Sequence, residues 1–473
     1  MSSIEFSDTS KEFNSEPLWE QGALIEVNIA DLTDTGDGVG RWQERVVFVP
    51  DTVPGDKVLI RLVHVKPKFA HGVVREILQS SPHRIKPSCI VADKCGGCQW
   101  QHVNYDYQLE AKRNQLVQAL ERIGGFVEPP VSGVLASFAA LAYRNKATYP
   151  VGTSLTGQTI AGYYQKGSHQ IINLNQCPIQ DSRLNQILAE VKQDIRKKGW
   201  QAYDEKLHSG LIRHIGLRIG RRTGEVLLTL VTKQRNITGI DTQAQEWLDR
   251  YPPLVGVMLN KNSERTNAIF GSQSRCIAGR PYLREIFAGL EFQVRPETFF
   301  QVNTETAEAL LLLIQSELNL QGEEILLDAY CGIGTLTLPL AKQVRQAIGI
   351  EVQAEAVEQA ELNARNNHIK NVSFYAGKVE KILEHIHSNP DVVLLDPPRK
   401  GCEASVVETL RIKKPSRIVY VSCKIATLAR DLKMLCQDGM YTLTRVHGAD
   451  FFPQTSHVEA AAFLVLSQLD KGS

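Results

Sequence analysis

The stretch Glu324-Ile325-Leu326-Leu327-Asp328-Ala329-Tyr330-Cys331-Gly332-Ile333-Gly334-Thr335 decides the fold. A short apolar run ends on an acid, turns through two glycines and enters a helical stretch, Leu336–Gln343. Glycines at such a turn let the backbone approach a ligand, and the helix start offers free N–H groups. Further apolar strands follow at Ala347–Glu351, Asn371–Tyr375, Val392–Leu395 and Arg417–Ser422, with helical stretches between them. This alternation from residue 296 onward predicts an α/β domain with a doubly wound, Rossmann-like parallel sheet.

The glycine turn points to a nucleoside-bearing cofactor. Glu351 ends the next strand, 17 positions after Gly334, where an acid can hold ribose hydroxyls. The third glycine of a dinucleotide site is replaced by Thr337, and Asp328 is unusual for a nicotinamide site. An acid before a G-x-G turn suits S-adenosylmethionine instead. Asp396-Pro397-Pro398-Arg399 lies at another strand end, where open α/β sheets bind ligands. Enzymes that methylate amines place an aromatic residue where this chain has Arg399.

Two further residues suggest the chemistry. Cys423 follows strand Arg417–Val421 directly, and a helix begins soon after. A helix N-terminus and neighbouring cations lower a thiol's pKa, although most free cysteines are merely buried. Near the C-terminus, Asp450-Phe451-Phe452-Pro453-Gln454-Thr455-Ser456-His457-Val458-Glu459 precedes the apolar strand Ala460–Leu466. Glu459 is a candidate general base, and His457 a candidate to orient it or the substrate. A cysteine and a base are what methylation of uracil C5 needs. Thiolate addition at C6 makes C5 nucleophilic, and the C5 proton must leave before the thiolate is expelled.

Working outward, residues 21–79 contain strand-like runs at Ala23–Ile29, Arg45–Val49, Lys57–Val65 and Gly72–Leu78. Turn signals separate them at 35–40 and 51–56, so a small β-barrel is expected. Residues 106–124 have a helical period, and Gly224–Thr232 reads as a strand. Cys89, Cys95 and Cys98 cluster between barrel and helix. Such a cluster suits metal or iron–sulfur ligation.

The bulk numbers fit a globular chain of about three domains, with 473 residues, 43% hydrophobic and 22% charged. The start of the chain is polar and acidic, unlike a signal peptide. No apolar run reaches the roughly 18 residues that a membrane helix needs. A cytoplasmic monomer with no membrane partner is expected. Net charge is only +1, yet residues 136–236 carry 15 Lys and Arg against 6 Asp and Glu. That excess, which includes Arg144, Lys146, Arg213, Arg218, Arg221 and Arg222, fits a phosphate-contacting face.

Together these residues resemble the RNA (uracil-5-)-methyltransferase family, specifically its 23S rRNA branch, over nearly the whole chain. The resemblance implies an RNA-binding TRAM barrel at 17–79. It implies a central α+β RNA-binding segment with an iron–sulfur site at 80–295, and a methyltransferase domain at 296–473. Phe299-Phe300-Gln301-Val302-Asn303 matches the segment before the catalytic core. Gln301, Tyr330, Glu351 and Asp396, with the turn glycines Gly332 and Gly334, are implied to meet S-adenosylmethionine. Cys423 is implied as nucleophile and Glu459 as proton acceptor. Cys89, Cys95, Cys98 and the distant Cys177 are implied to hold a 4Fe-4S cluster. The implied substrate is a uridine in 23S rRNA, with transfer RNA as the alternative.

The chain departs from the family at Lys424-Ile425, where Asn-Pro is usual after the nucleophile, and at Lys378, where many members have an acid. Three rivals are weighed. A radical methylthiotransferase needs C-x3-C-x2-C, and this chain has C-x5-C-x2-C. A cytosine-5 methyltransferase is expected to carry a cysteine beside the Asp-Pro-Pro position. An RNA-binding assembly protein without catalysis has no need of Cys423, Glu459 and Asp396 together. Cys402, close to Asp396 in sequence, is the rival nucleophile.

Overall fold

The computed structural model describes residues 19–386 and 388–467. The first two residues expected in the barrel, most of the polar N-terminal stretch and residues 468–473 lie outside the described residues. The described chain divides into two compact units, one reaching to Lys86 with residues 102–104, the other comprising residues 87–101 and everything from Tyr105 onward.

The first unit is a closed barrel of β1 (Leu24–Leu32), β2 (Gly38–Trp42), β3 (Arg45–Val49), β4 (Lys57–Val65) and β5 (Phe69–Gln79), in the order β1-β2-β3-β5-β4. Alternate residues point inward, so Ile25, Val27, Ile29, Val47, Val49, Val58, Ile60 and Leu62 form its core. The expected turn at 35–40 is only partly a turn, because Gly38-Val39-Gly40 belongs to β2. Its glycines are there for packing. A Cβ on Gly40 would sit 2.6 Å from the Asn28 carbonyl oxygen and closer still to Val27. Buried Asp56 closes one end, accepting from the backbone N–H groups of Val53 and Ser81 and from Arg84. Those donors hold its carboxyl below the ordinary range.

In the second unit, residues 87–101 precede α1 (Tyr105–Ala119), and β6 (Val131–Leu135) follows. A seven-stranded sheet comes next, built from β7 (Lys146–Thr153), β8 (Thr159–Tyr164), β9 (Ile171–Asn173), β10 (Ile212–Ile219), β11 (Val226–Thr232), β12 (Leu254–Lys261) and β13 (Gln273–Gly279). Helices α2 (Leu184–Lys197) and α3 (Ile240–Arg250) bury their apolar residues against it. The hairpin β14 (Leu283–Phe287) and β15 (Leu290–Val294) leads to α4 (Thr304–Leu318).

The predicted doubly wound sheet follows. Its strands are β16 (Ile325–Asp328), β17 (Gln346–Glu351), β18 (Val372–Ala376), β19 (Val392–Leu395), β20 (Arg417–Ser422), β21 (Tyr441–Ala449) and β22 (Glu459–Leu466). Between them run α5 (Thr337–Ala341), α6 (Ala354–Asn366), α7 (Val379–His385), α8 (Ala404–Lys413) and α9 (Ile425–Leu435). The order is β18-β17-β16-β19-β20-β22-β21-β6. Strands β16 to β20 are parallel, and β22 runs antiparallel to both β20 and β21. Their near-continuous apolar sequences follow from burial on both faces.

Part of the expected middle segment, 80–295, joins the C-terminal sheet. Strand β6 pairs in parallel with β21, and Leu116, Leu120 and Val131 lie in the core of the C-terminal sheet. A five-residue strand, Val-Ser-Gly-Val-Leu, carries too little pattern to reveal that partner. Order reverses between β16 and β19, and the crevice beyond their carboxyl ends is where such sheets bind ligands.

Gly40→Ala is expected to cost about 1–3 kcal/mol of barrel stability through overpacking. Hydrogen exchange should show residues 24–79 opening more readily, with the C-terminal sheet unchanged. Unaltered barrel protection would contradict the packing role given to Gly40.

Candidate active site

Strand register assembles the site. Leu395 pairs with Tyr420, and Ser422 pairs with Ala460 in the antiparallel direction. Cys423 follows Ser422 in a bend just outside this ladder and Glu459 precedes Ala460, so the two stand at neighbouring strand ends, where the Glu459 charge reaches the thiol. Asp396 directly follows the neighbouring strand, and its charge reaches both Cys423 and Glu459. Asp328 pairs with Gly349 and Leu394, so Asp328 and Glu351 end on this edge too. Residues from Asp328 to Glu459 thus converge because β16, β17, β19 and β20 end at the edge where β22 begins.

The glycine turn has the predicted form. Gly332 and Gly334 both take positive φ, +53° and +85°. The Gly332 N–H donates to Glu351 Oε2 at 3.2 Å, and Gln353 N–H to Oε1 at 2.9 Å, so this carboxylate is held at the crevice. Buried Asp328 accepts from the Thr337 hydroxyl at 2.6 Å, and desolvation pushes its pKa up to about 6. The Tyr330 ring packs on the sheet core with its hydroxyl 3.8 Å from Cys402 Sγ. Lys378 precedes α7 beside Gly377, whose N–H donates to the Glu351 carbonyl.

Gln301 sits on a segment held from the middle sheet. Asn145 donates to the Gln301 carbonyl at 2.9 Å and to Thr304 at 3.0 Å, and its N–H bonds the Val302 carbonyl. Arg218 donates to the carbonyls of Arg295, Thr298 and Phe300. Here the basic middle region is reassigned. Arg213 and Arg218 are buried on backbone carbonyls, Arg221 pairs with Asp181 and Glu305, and Arg222 pairs with Glu308. These cations fasten chain segments together and are not spare for phosphate. Arg196, Lys197 and Lys198 remain on the surface.

The electrostatics around Cys423 run against the lowered thiol pKa expected from the sequence. Burial, then the Glu459 and Asp396 carboxyls, push it above the ordinary cysteine range, and Arg399 opposes them. Glu459 is buried and raised to about 8, first by desolvation and then by Asp396, with Arg399 again opposing. Desolvation and Asp328 raise Asp396 to about 7. Arg399 is therefore the cation common to the thiol and the base, a role the sequence motif did not disclose. Cys402 is buried and raised to about 11, near the phenols of Tyr330 and Tyr420. His457 is exposed and sets its ring edge-on to Phe452 at 6.0 Å.

The four candidate metal-ligating cysteines are also brought together. Cys98 feels Cys177, Cys95 and Cys89, and burial raises its thiol to about 12. Cys177 packs with Tyr143 and Ile179, with Cys98 at the edge of that cluster. Among the described residues, no three His, Cys, Asp or Glu side chains stand as ligands of a single metal ion. No helix among them is long and apolar enough to cross a membrane.

A doubly wound sheet with a glycine turn, an acid after the second strand and an Asp-Pro-Pro-Arg strand end defines an S-adenosylmethionine-dependent methyltransferase. The comparisons narrow the class. Residues 104–467 match the model of the tRNA (Uracil-5-)-methyltransferase family, and residues 18–74 match the TRAM domain. The chain belongs to the tRNA (uracil-5-)-methyltransferase family. It is 71% identical over 453 residues to an uncharacterized RNA methyltransferase of Nostoc sp. (strain PCC 7120), covering 96% of this chain and 98% of that one. An uncharacterized RNA methyltransferase of Synechocystis sp. (strain PCC 6803) is 54% identical over 455 residues, with coverage of 96% and 98%. Among solved structures, the Pyrococcus abyssi tRNA (uracil-54, C5)-methyltransferase in complex with S-adenosyl-L-homocysteine superposes with a TM-score of 0.75. It is 30% identical, over 93% of this chain and 99% of that one. The protein is an RNA methyltransferase that uses S-adenosylmethionine.

The raised carboxyls predict a pH dependence of stability. The folded state holds the Glu459 proton more tightly than the unfolded chain does. This contribution is therefore full below the ordinary carboxyl range and is lost as pH rises through about 8. Thermal melts of the ligand-free protein should fall between pH 6 and 9, and Glu459→Gln should remove part of that fall. Equal slopes for the two proteins would contradict the buried, proton-holding Glu459.

Proposed function

We propose that the protein methylates C5 of a uridine in 23S rRNA through a covalent adduct between Cys423 and C6. The observation that supports this reading is the β20–β22 pairing, which ends beside Cys423 and Glu459, with Asp396 and Arg399 acting electrostatically on both groups. S-adenosylmethionine, when bound, supplies the electrophilic methyl group. Its site is given to Gln301, Tyr330, Gly332, Gly334, Glu351 and Asp396. The glycine turn and the anchored Glu351 carboxylate suit a nucleoside, and the recessed acids suit a cationic ligand.

The chain's own residues then act in order. Arg399 stabilises the Cys423 thiolate, which adds to C6 and drives charge onto C5. After methyl transfer, Glu459 takes the C5 proton. The C–H electron pair restores the C5–C6 double bond, and the C6–S bond breaks to return the thiolate. Burial keeps Glu459 basic enough for this task. Lys424 follows the nucleophile in the exposed position before α9, and Arg399 is the cation that acts on the thiol.

Cys89, Cys95, Cys98 and Cys177 are proposed as the ligands of a 4Fe-4S cluster. Four mutually interacting thiols make a soft donor set, and one C-x2-C pair with irregular spacing is unlike paired zinc knuckles. The cluster, when bound, supplies a covalent cross-link between the Cys89–Cys98 segment and Cys177. The proposal extends to a cytoplasmic monomer. The resemblance of the sequence motifs to the 23S rRNA branch of the family favours the ribosomal substrate. The Pyrococcus abyssi enzyme, named for a tRNA substrate, keeps transfer RNA as the second reading.

RNA with 5-fluorouridine at the target is expected to form a denaturation-stable complex, because fluorine cannot leave as a proton. Cys423→Ala should abolish it, and persistence of the complex would contradict the assignment. Mass mapping of 5-methyluridine in a deletion strain should show the loss in 23S rRNA; loss confined to transfer RNA would select the second reading. Anaerobically purified protein should absorb near about 400 nm and lose the band on reduction. Stoichiometric zinc without iron would contradict the cluster.

A further inference from the structure

The loop that delivers Glu459 is anchored by the cysteine segment. Gln454 lies in this loop with φ +70° and is nearly fully buried. Its carbonyl accepts from the N–H groups of Gln99 and Trp100 at 3.1 and 2.9 Å, the two residues after Cys98. Its own N–H donates to Gln108 Oε1 at 2.9 Å. Gln108 Nε2 in turn donates to Gln454 Oε1 at 3.2 Å and to the Trp100 carbonyl at 3.0 Å. Gln108 is fully buried on α1, so one side chain locks the cysteine segment to the catalytic loop.

The fourth cysteine reaches the same loop. Tyr143 packs with Cys177, and its hydroxyl donates to the Pro453 carbonyl at 3.2 Å. The start of the loop is held by a buried ion pair, Lys112 Nζ to Asp450 Oδ1 at 2.6 Å, and Lys112 also donates to the Phe452 carbonyl. The backbone from 450 to 454 therefore hangs on α1, Tyr143 and residues 99–100.

We propose that Gln108 and Tyr143 are positioning residues for proton abstraction, and that the four-cysteine site sets the placement of Glu459 through them. Order or disorder at the cysteines passes along Gln99-Trp100 to Gln454, five residues before the base. This deepens the proposed function and rests on Glu459 as the proton acceptor, not on which metal the cysteines hold. Because Glu459 acts only after methyl transfer, a loosened loop slows one step. The C5 proton stays, the C6–S bond stays closed, and the methylated adduct accumulates.

The test uses full-length metal-loaded protein with natural uridine RNA and S-adenosylmethionine, and reads the denaturation-stable protein–RNA adduct at steady state. Gln108→Leu strands buried hydrogen-bonding groups and is expected to raise the adduct about tenfold while turnover falls by a similar factor. The rate of complex formation with 5-fluorouridine RNA, which needs no base, should stay within about twofold. Tyr143→Phe, which loses only a hydroxyl, should give the same pattern at smaller amplitude and decides the matter if Gln108→Leu does not fold. Hydrogen exchange at residues 450–459 should quicken in both variants, and also in wild type after the metal is removed. Parallel loss of turnover and 5-fluorouridine complex, or unchanged exchange at 450–459, would overturn the proposal. Glu459→Gln separates the two readings. If that variant fails to accumulate adduct, the base assignment is wrong; if it accumulates adduct and Gln108→Leu and Tyr143→Phe do not, the brace is wrong.

Discussion

The antiparallel register between β20 and β22 is the constraint on which the site depends. A one-residue slip in a strand pair turns every side chain to the other face. Here such a slip would part Cys423 from Glu459 and would mismatch the side chains packed on both buried faces of the two strands. The register is fixed by burial, since Val419, Tyr420, Val421, Ala460, Ala461 and Ala462 are all inaccessible to solvent. Core packing and site geometry are therefore one requirement. Strand β22 lies between β20 and β21, with Ala460, Ala461 and Ala462 fully buried.

Charge then divides the labour. Three carboxyls, Asp328, Asp396 and Glu459, are gathered where burial disfavours their ionised forms. Like charges in so small a space raise one another's pKa. Arg399 is the cation that relieves both Cys423 and Glu459, and a cationic ligand at Asp396 would add to it. Positive charge arriving beside these carboxyls would lower their pKa values.

The fold was legible because its signals are local. Short apolar strands, helical intervals and the glycine turn each occupy a few consecutive residues, and so does the cysteine cluster. The grouping of Asp328, Glu351, Asp396, Cys423 and Glu459 followed from their positions at strand ends. What stayed hidden depends on partners far away in sequence. Gln108 and Gln454 are 346 positions apart, and nothing near either residue announces the other. Arg218 counts as a surface cation by composition, yet it is buried on three carbonyls of the Gln301 segment. Gly38 and Gly40 read as turn residues because a strand glycine looks the same in sequence. The thiol's raised pKa was also unreadable, since it comes from burial and then from carboxyls delivered by two other strands.

The most direct test of this account is peptide mapping of the species trapped on natural uridine RNA by Glu459→Gln. After nuclease and protease digestion, mass spectrometry should find a methylated, C6-linked uridine on the peptide that contains Cys423. The same mass on the Cys402 peptide, or no modified cysteine while 5-methyluridine still forms, would contradict it.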